Sequence, residues 1–178
     1  MKRLCSVCAR GGSKGVPNKN IRPLLGKPLL IYSLDQARQS DLFDCIVVSS
    51  DSKEILQLAE EWGVDHAIER PEELATDFAP KLPVIQHCFQ TAETLSGMTF
   101  DIAVDLDATS PLRNQDDLKG VLELLESSKQ ISNVITGTPA RRSPYFNLVE
   151  LSESGRVHLS GKRQNMDGRI VRRQDAPP

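Results

Sequence analysis

The residues that could do chemistry concentrate first in a cationic, glycine-rich loop that follows an apolar run at 4–9. In chain order, the residues of this loop that are candidates to bind an anion are Arg10, Gly11, Gly12, Ser13, Lys14, Gly15, Lys19 and Asn20. Glycine permits positive φ and close approach of backbone N–H groups to an anion, and the basic side chains add positive charge. The pattern predicts a phosphate-binding loop. A glycine turn beside a solvated basic patch is the alternative that the loop alone leaves open.

The residues after the glycines exclude two common phosphate-binding motifs. In a P-loop the last glycine precedes Lys and then Ser or Thr, whereas Val16 and Pro17 follow Gly15 here. The dinucleotide-binding pattern G-x-G-x-x-G does not occur, and no helix begins directly after Gly15. The loop is therefore a different kind of phosphate site.

Two further polar segments follow apolar runs later in the chain. Residues 49–51 (SSD) follow CIVV, and residues 107–113 (DATSPLR) follow FDIAVDL. In an open α/β sheet, ligands bind at the carboxyl ends of the strands. We therefore expect the glycine loop and these two segments to meet at one edge of a sheet.

The elements that must position these loops alternate between strand-like and helix-like runs, which predicts an α/β fold with a largely parallel sheet. Apolar periodicity and capping residues predict helices over 28–39, 52–62 and 82–95, and a fourth capped by Asn114 or Asp116. Strands are expected at 4–9, 45–50, 64–68, 100–106 and 133–138, and a hairpin around 153–155. We expect one domain over 1–160, with that hairpin at about 139–160, and a polar, flexible tail over 161–178.

Composition excludes several classes of function. The 178 residues include 22 Lys and Arg against 24 Asp and Glu, so no global positive charge favours nucleic acid or anionic membranes. No apolar run approaches the roughly 18 residues of a membrane span, and there is no signal-peptide pattern, so a cytoplasmic protein is expected. Cys5 and Cys8 would face opposite sides of a strand, so the four cysteines are expected to be buried free thiols.

Four motifs together resemble the acylneuraminate cytidylyltransferase family, which activates sialic and related nonulosonic acids as CMP-sugars. They are A-R-G-G-S-K-G-V-P-x-K-N at the opening loop, S-S-D at 49–51, R-P-x-x-L-A-x-D at 70–77 and T-S-P-L-R at 109–113. The resemblance implies a Rossmann-like nucleotidyltransferase fold with helices on both faces of the sheet. It also implies that CTP and an acidic nine-carbon sugar react to give a CMP-sugar and pyrophosphate, with Mg²⁺, in a homodimer.

The same resemblance implies roles for individual positions. Catalytic roles fall on Arg10 and Lys14. Nucleotide binding falls on Arg10, Gly11, Gly12, Ser13, Lys14, Lys19, Asn20, Arg70 and Ala75. Binding of the sugar falls on Asp107, Thr109, Ser110, Arg113 and Arg173, the last from a stretch, Arg172 to Gln174, that resembles the family's sugar-contacting segment.

The chain departs from the family at Asp107, where glutamine is common. Two hypotheses follow: Asp107, together with Asp105, is a magnesium ligand, or Asp107 marks a sugar other than N-acetylneuraminate, with the legionaminic type preferred. Asp105 could instead be a buried, structural carboxylate. The family also continues for some tens of residues, including an Asp-x-Asp magnesium motif, so we expect a C-terminally truncated chain.

Two alternatives stay open at this point. A synthetase for the eight-carbon acid Kdo shares the fold, but usually carries a different opening loop. A catalytically incomplete, nucleotide-binding module would account for the missing carboxylates.

Overall fold

The computed structural model describes residues 1–13, 15–76, 78–137 and 148–159. Two compact units are separated after Ser132. In chain order, the elements are β1 (Arg3–Cys8), β2 (Pro23–Leu24), β3 (Lys27–Pro28), α1 (Leu29–Ser40), β4 (Cys45–Ser50), α2 (Lys53–Trp62), β5 (His66–Glu69), a 3-10 turn (Glu72–Leu74), α3 (Lys81–Ser96), β6 (Ile102–Asp105), α4 (Gln115–Glu126), β7 (Val149–Leu151) and β8 (Val157–Leu159).

A four-stranded parallel sheet forms the centre of the first unit, with strand order β5-β4-β1-β6. The chain runs outward from β1 to β4 and β5, then returns through α3 to place β6 on the other side of β1. The direction of winding therefore reverses between β1 and β6. In open α/β sheets, this reversal leaves a crevice at the carboxyl ends of the two strands, where ligands bind.

Helices cover both faces of this sheet, as predicted. One apolar core joins β1 and β4 to α1, α2 and α4, with Leu34, Ile55 and Leu118 among its buried members. The second core lies on the opposite face, where Cys88 and Ala92 of α3 pack against β1 and β4. Alternating strand residues supply the two cores, because successive side chains point to opposite faces.

Most of the predicted helices and their caps are confirmed. The Ser52 side chain accepts a hydrogen bond from the Ile55 backbone N–H, and Gly63 ends α2 in the left-handed conformation. Asn114, rather than Asp116, caps α4 and forms a reciprocal capping box with Asp117. All four cysteines are free thiols, and Cys5 and Cys8 pack on opposite faces as expected, but Cys8 is only partly buried.

Two local features differ from the sequence-based expectation. The strand expected at 133–138 is wrong for the described residues 133–137, which pair with no strand and leave Ile135 86% exposed. A segment with high β propensity does not form a strand unless a neighbouring strand pairs with its backbone N–H and C=O groups. A small hairpin, β2–β3, was not anticipated, and its turn places Leu25 and Gly26 at positive φ.

In the second unit, β7 and β8 pair antiparallel. This confirms the described part of the hairpin that the sequence predicts around 153–155. The remainder of the expected hairpin, at 139–147, and the tail at 161–178 lie outside the described residues. Across the described ranges, no helix is both long enough and apolar enough to cross a bilayer.

Candidate functional site

A cavity of about 540 Å³ opens where the loops after β1 and β6 meet the entrance to α3. It is lined by residues of the glycine loop and of the segments at 70–77 and 107–113, but by none of 49–51. Its lining residues are Cys8, Arg10, Ser13, Gly15, Val16, Lys19, Asn20, Arg70, Leu74, Thr76, Ala79, Lys81, Val84, Asp107, Ala108 and Thr109. Among the lining residues that the structure describes, four are cationic and only Asp107 is a carboxylate, so the cavity favours an anionic guest.

The glycine loop is fixed to the neighbouring strand end through Gly11. The Gly11 backbone N–H donates to Asp51 Oδ1 at 3.0 Å, and a Cβ on Gly11 would lie 2.9 Å from Ser52 Cβ. Only glycine fits this close approach without a shift. The segment at 49–51 thus acts on the cavity indirectly, by holding the loop.

Gly12 and Gly15 serve a different purpose, because a Cβ at either position would meet nothing within 4 Å. Gly11 and Gly12 do not use the positive φ that glycine permits. The left-handed residue of this loop is Asn18, with φ 53°. Open space beside the two glycines leaves their backbone accessible to a ligand.

Asn20 connects the two ends of the loop. Its side chain is buried, 6% exposed, and its Nδ2 donates to the Arg10 carbonyl oxygen at 2.9 Å. Its own carbonyl accepts from the Leu30 N–H at 2.8 Å, which ties the loop to the first turn of α1. Asn20 therefore lines the cavity and also sets the position of Arg10.

Arg70 is a buried cation with neutral partners among the described residues. It is 7% exposed, and its Nε and NH2 donate to Ser49 Oγ at 3.3 Å and to the Ser49 carbonyl at 2.8 Å. Burial of a charge is costly unless an opposite charge compensates it. A guanidinium offers five N–H donors, so others remain for an anion in the cavity.

Two carboxylates and one ammonium form an ionic cluster where the end of β6 and the loop after it meet the start of α3. Lys81 Nζ lies 2.7 Å from Asp105 Oδ2 and 2.6 Å from Asp107 Oδ1, and Ser6 Oγ donates to Asp105 Oδ1 at 3.1 Å. Burial lowers the pKa of the Lys81 ammonium, but its hydrogen bonds to Asp105 and Asp107 outweigh burial and raise it overall. Lys81 is therefore firmly charged.

Lys81 is a site residue that sequence reasoning missed. It begins α3, one residue after Pro80, and a lysine at that position is indistinguishable in sequence from a solvated surface residue. The available signal was electrostatic, because an aspartate at position 107 repels an acidic substrate unless a cation or a substrate amine lies between them.

Arg113 does not line the cavity. Its NH1 donates to Gln36 Oε1 at 2.9 Å and its NH2 to the Asp107 carbonyl at 3.2 Å. The Gln36 amide in turn donates to the carbonyls of Pro111 and Arg113 at 2.8 and 2.7 Å. These hydrogen bonds tie the loop at 107–113 to α1. Arg113 therefore helps to hold Asp107 in place and does not contact the cavity itself.

The other candidates fall into four groups. Arg10, Ser13, Lys19 and Thr109 line the cavity; Gly11, Gly12 and Ser110 lie beside it in the same loops. Ala75 lines a second cavity of about 510 Å³, which shares Arg70 with the first. Lys14 and Arg173 lie outside the described residues, so their predicted roles stay predictions.

The described residues contain no group of three or more His, Cys, Asp or Glu side chains that could hold a metal ion. Asp105 and Asp107 nevertheless share one cation, Lys81, and carboxylate oxygens are the donors that Mg²⁺ prefers. Because Mg²⁺ often uses one or two carboxylates together with substrate phosphates, this pair fits part of a magnesium site.

Comparison with known proteins agrees with this geometry. The model of the family described as "Cytidylyltransferase" matches residues 4–153. CMP-N,N'-diacetyllegionaminic acid synthase of Campylobacter jejuni is 42% identical over 98% of this chain and 71% of its own length. Pseudaminic acid cytidylyltransferase of the same species is 41% identical over 89% of this chain and 67% of its own length.

Among solved structures, a CMP:2-keto-3-deoxy-manno-octonic acid synthetase complexed with CTP superposes with a TM-score of 0.58. It is 20% identical over 72% of this chain and 48% of its own length, a likeness that establishes the fold alone. The family match covers the glycine loop, Arg70, the Asp107 loop and the sheet that carries them. The chain belongs to the cytidylyltransferase family.

Proposed function

We propose that this protein transfers the cytidylyl group of CTP to a nonulosonic acid, giving a CMP-sugar and pyrophosphate. The observation that carries the proposal is the cationic cavity at the β1–β6 crevice, in which buried Arg70 faces the glycine loop. Relatives named for legionaminic and pseudaminic acids, each about 40% identical, support the class of sugar.

The chemistry requires no covalent enzyme intermediate. The anomeric hydroxyl oxygen of the sugar attacks the α-phosphorus of CTP and forms a new P–O bond, while the bond between the α-phosphorus and the β-phosphate oxygen breaks. The hydroxyl proton is released to solvent, and negative charge increases on the leaving pyrophosphate. Preorganised cations stabilise that charge, and Arg10, Lys19 and Arg70 are positioned to do so. We assign the same role to Lys14.

We propose that the reaction depends on Mg²⁺. When bound, this ion would neutralise triphosphate charge and orient the phosphates. In this hypothesis Asp107, with Asp105 behind it, is the protein ligand; in the alternative hypothesis Asp107 instead contacts the sugar. An Asp107→Asn variant with full activity and an unchanged magnesium requirement would contradict that assignment.

For the sugar we prefer an acid of the legionaminic type. A carboxylate such as Asp107 only accepts hydrogen bonds, so it suits a sugar substituent that presents an N–H or O–H group. Thr109 and Ser110 of the same loop add hydroxyls, and Arg173 remains a proposed partner of the sugar carboxylate.

We further propose that the enzyme acts as a cytoplasmic homodimer. The cytoplasm contains CTP, and the chain presents large exposed apolar side chains, including Phe78 and Leu112 at 94% and 95% exposure. Sedimentation equilibrium of the purified chain measures the dimer directly. A single species at 19.7 kDa would contradict it.

Pyrophosphate release tests the function. The protein is incubated with Mg²⁺, one of CTP, UTP, GTP or ATP, and one of legionaminic, pseudaminic, N-acetylneuraminic acid or Kdo. Release with CTP and a nine-carbon acid is expected. Pyrophosphate release only with Kdo would support the Kdo synthetase alternative. CTP binding without pyrophosphate release in the presence of any of the acids would support a catalytically incomplete module.

A further inference from the structure

Lys81 is an unexplained cation in the cavity wall. It occupies the first turn of α3, where the positive end of the helix dipole disfavours a positive charge, and that turn contains no acidic residue to offset it. Its side chain is still 49% exposed, so burial does not hold it in place. The two carboxylates of the neighbouring loop do.

The balance of charge around Lys81 is the decisive feature. Asp107 is 59% exposed and faces the cavity, whereas Asp105 is 11% exposed and lies behind it. A single ammonium is shared between the two carboxylates, so the wall carries one net negative charge with Lys81 and two without it. A substrate that is itself a carboxylate would be strongly repelled by the second arrangement.

We propose that Lys81 is a specificity-determining residue that neutralises Asp107, so that an acidic sugar can approach this wall. The inference rests on the proposed function and deepens it. With one oxygen of Asp107 engaged by Lys81, the other remains an acceptor for an N–H or O–H group of the sugar. Lys81 and Asp107 thus balance each other, and the one net negative charge of the wall lies on Asp105, which is only 11% exposed. The exposed part of the wall can therefore select for donors without excluding the sugar's acid group.

The proposal separates Lys81 from the nucleotide-binding cations. Arg10, Lys19 and Arg70 act on the phosphates, so their loss weakens CTP binding directly. Lys81 acts through Asp107, so loss of Lys81 weakens binding of the sugar far more than binding of the nucleotide. Neutralising Asp107 in the same molecule then removes the need for Lys81.

The experiment is a double-mutant cycle of Lys81→Met and Asp107→Asn at fixed, saturating Mg²⁺. Lys81→Met is expected to raise the KM for the acidic sugar about tenfold or more, as for an uncompensated charge, and to change the Kd for CTP by less than about threefold. Asp107→Asn in the Lys81→Met background is expected to recover the sugar KM to within about threefold of Asp107→Asn alone. Lys81→Arg retains the charge and should stay near the wild type.

Lys27→Met is the matched control, because Lys27 pairs with Asp35 at an exposed position outside the cavity. Thermal denaturation of each variant verifies folding. The proposal is wrong if the sugar KM of the double variant does not recover, or if Lys81→Met weakens CTP binding as much as sugar binding. Either result would mean that Lys81 binds substrate directly.

Failure of the proposed function gives a different result. A wild-type protein that releases no pyrophosphate refutes turnover, but not the role of Lys81. The same cycle is then measured as calorimetric Kd for the sugar on CTP-saturated protein. Equal sugar affinity of the wild type and Lys81→Met, including an absence of binding to both, refutes the role of Lys81.

Discussion

Replacing Gly11 by alanine should destabilise the protein through one identifiable contact. The added Cβ would lie 2.9 Å from Ser52 Cβ, whereas carbon atoms pack best at about 3.5–4.0 Å, so the loop or the start of α2 must shift by about 0.6 Å or more. Overpacking of this kind costs about 1–3 kcal/mol, and the lower chain entropy of alanine offsets about 0.4–1 kcal/mol. A net loss of about 1–2 kcal/mol corresponds to a Tm lower by about 2–8 °C.

Gly12→Ala is the matched control, because its Cβ would meet nothing within 4 Å. Its Tm should equal or slightly exceed that of the wild type, while its CTP affinity falls if phosphate packs against the backbone there. Calorimetric unfolding and CTP titration of both variants separate these effects.

The Gly11→Ala/Ser52→Gly double variant tests the contact itself. Ser52→Gly removes the clashing Cβ, and glycine at a helix N-cap costs only a few tenths of a kcal/mol relative to serine. The double variant should therefore be more stable than Gly11→Ala. A Gly11→Ala protein as stable as the wild type, or a double variant that loses the sum of both single effects, would refute the reasoning.

Three further predictions concern other parts of the chain. Lys14→Ala should abolish turnover and weaken CTP binding by about 1.5–3 kcal/mol in calorimetry; near-normal activity would show that the glycine loop does not hold the triphosphate. The hydrogen bond from Lys2 Nζ, followed by that from the Arg3 N–H, lowers the pKa of Asp44 below its ordinary 3.8. The stabilisation of the fold by ionised Asp44 is therefore present above pH 3.8 and is lost as pH falls through the folded-state pKa of Asp44. The Tm difference between wild type and Asp44→Asn should persist at pH 6 and shrink below about pH 3.8. Leu25→Asn should raise Tm by about 2–4 °C, since Leu25 has φ 49°, is 94% exposed and loses no packing; an unchanged or lower Tm would contradict this.

Sequence reasoning succeeded where a local pattern determines the local structure. Alternation placed Cys5 and Cys8 on opposite faces, and Ser52 and Asn114 cap their helices because side-chain acceptors next to a helical run satisfy free N–H groups. The cavity was predictable because loops that follow parallel strands converge at one edge of the sheet.

Residues whose partners are distant in sequence were not predictable in this way. Lys81 meets Asp105 and Asp107 only after α3 crosses the sheet, and Arg113 turns to Gln36 because α1 lies beside its loop. Sequence gives the type of such a residue, but its function depends on which element it meets.

A crystal structure of the protein with CTP and Mg²⁺ would show whether the cationic cavity holds the triphosphate. We expect triphosphate density in the 540 Å³ cavity, with phosphate oxygens within hydrogen-bond distance of the backbone at Gly12 and of the Arg70 guanidinium. Triphosphate density in the second cavity, beside Asp51 and Glu72, or absent from both cavities at saturating CTP, would contradict it.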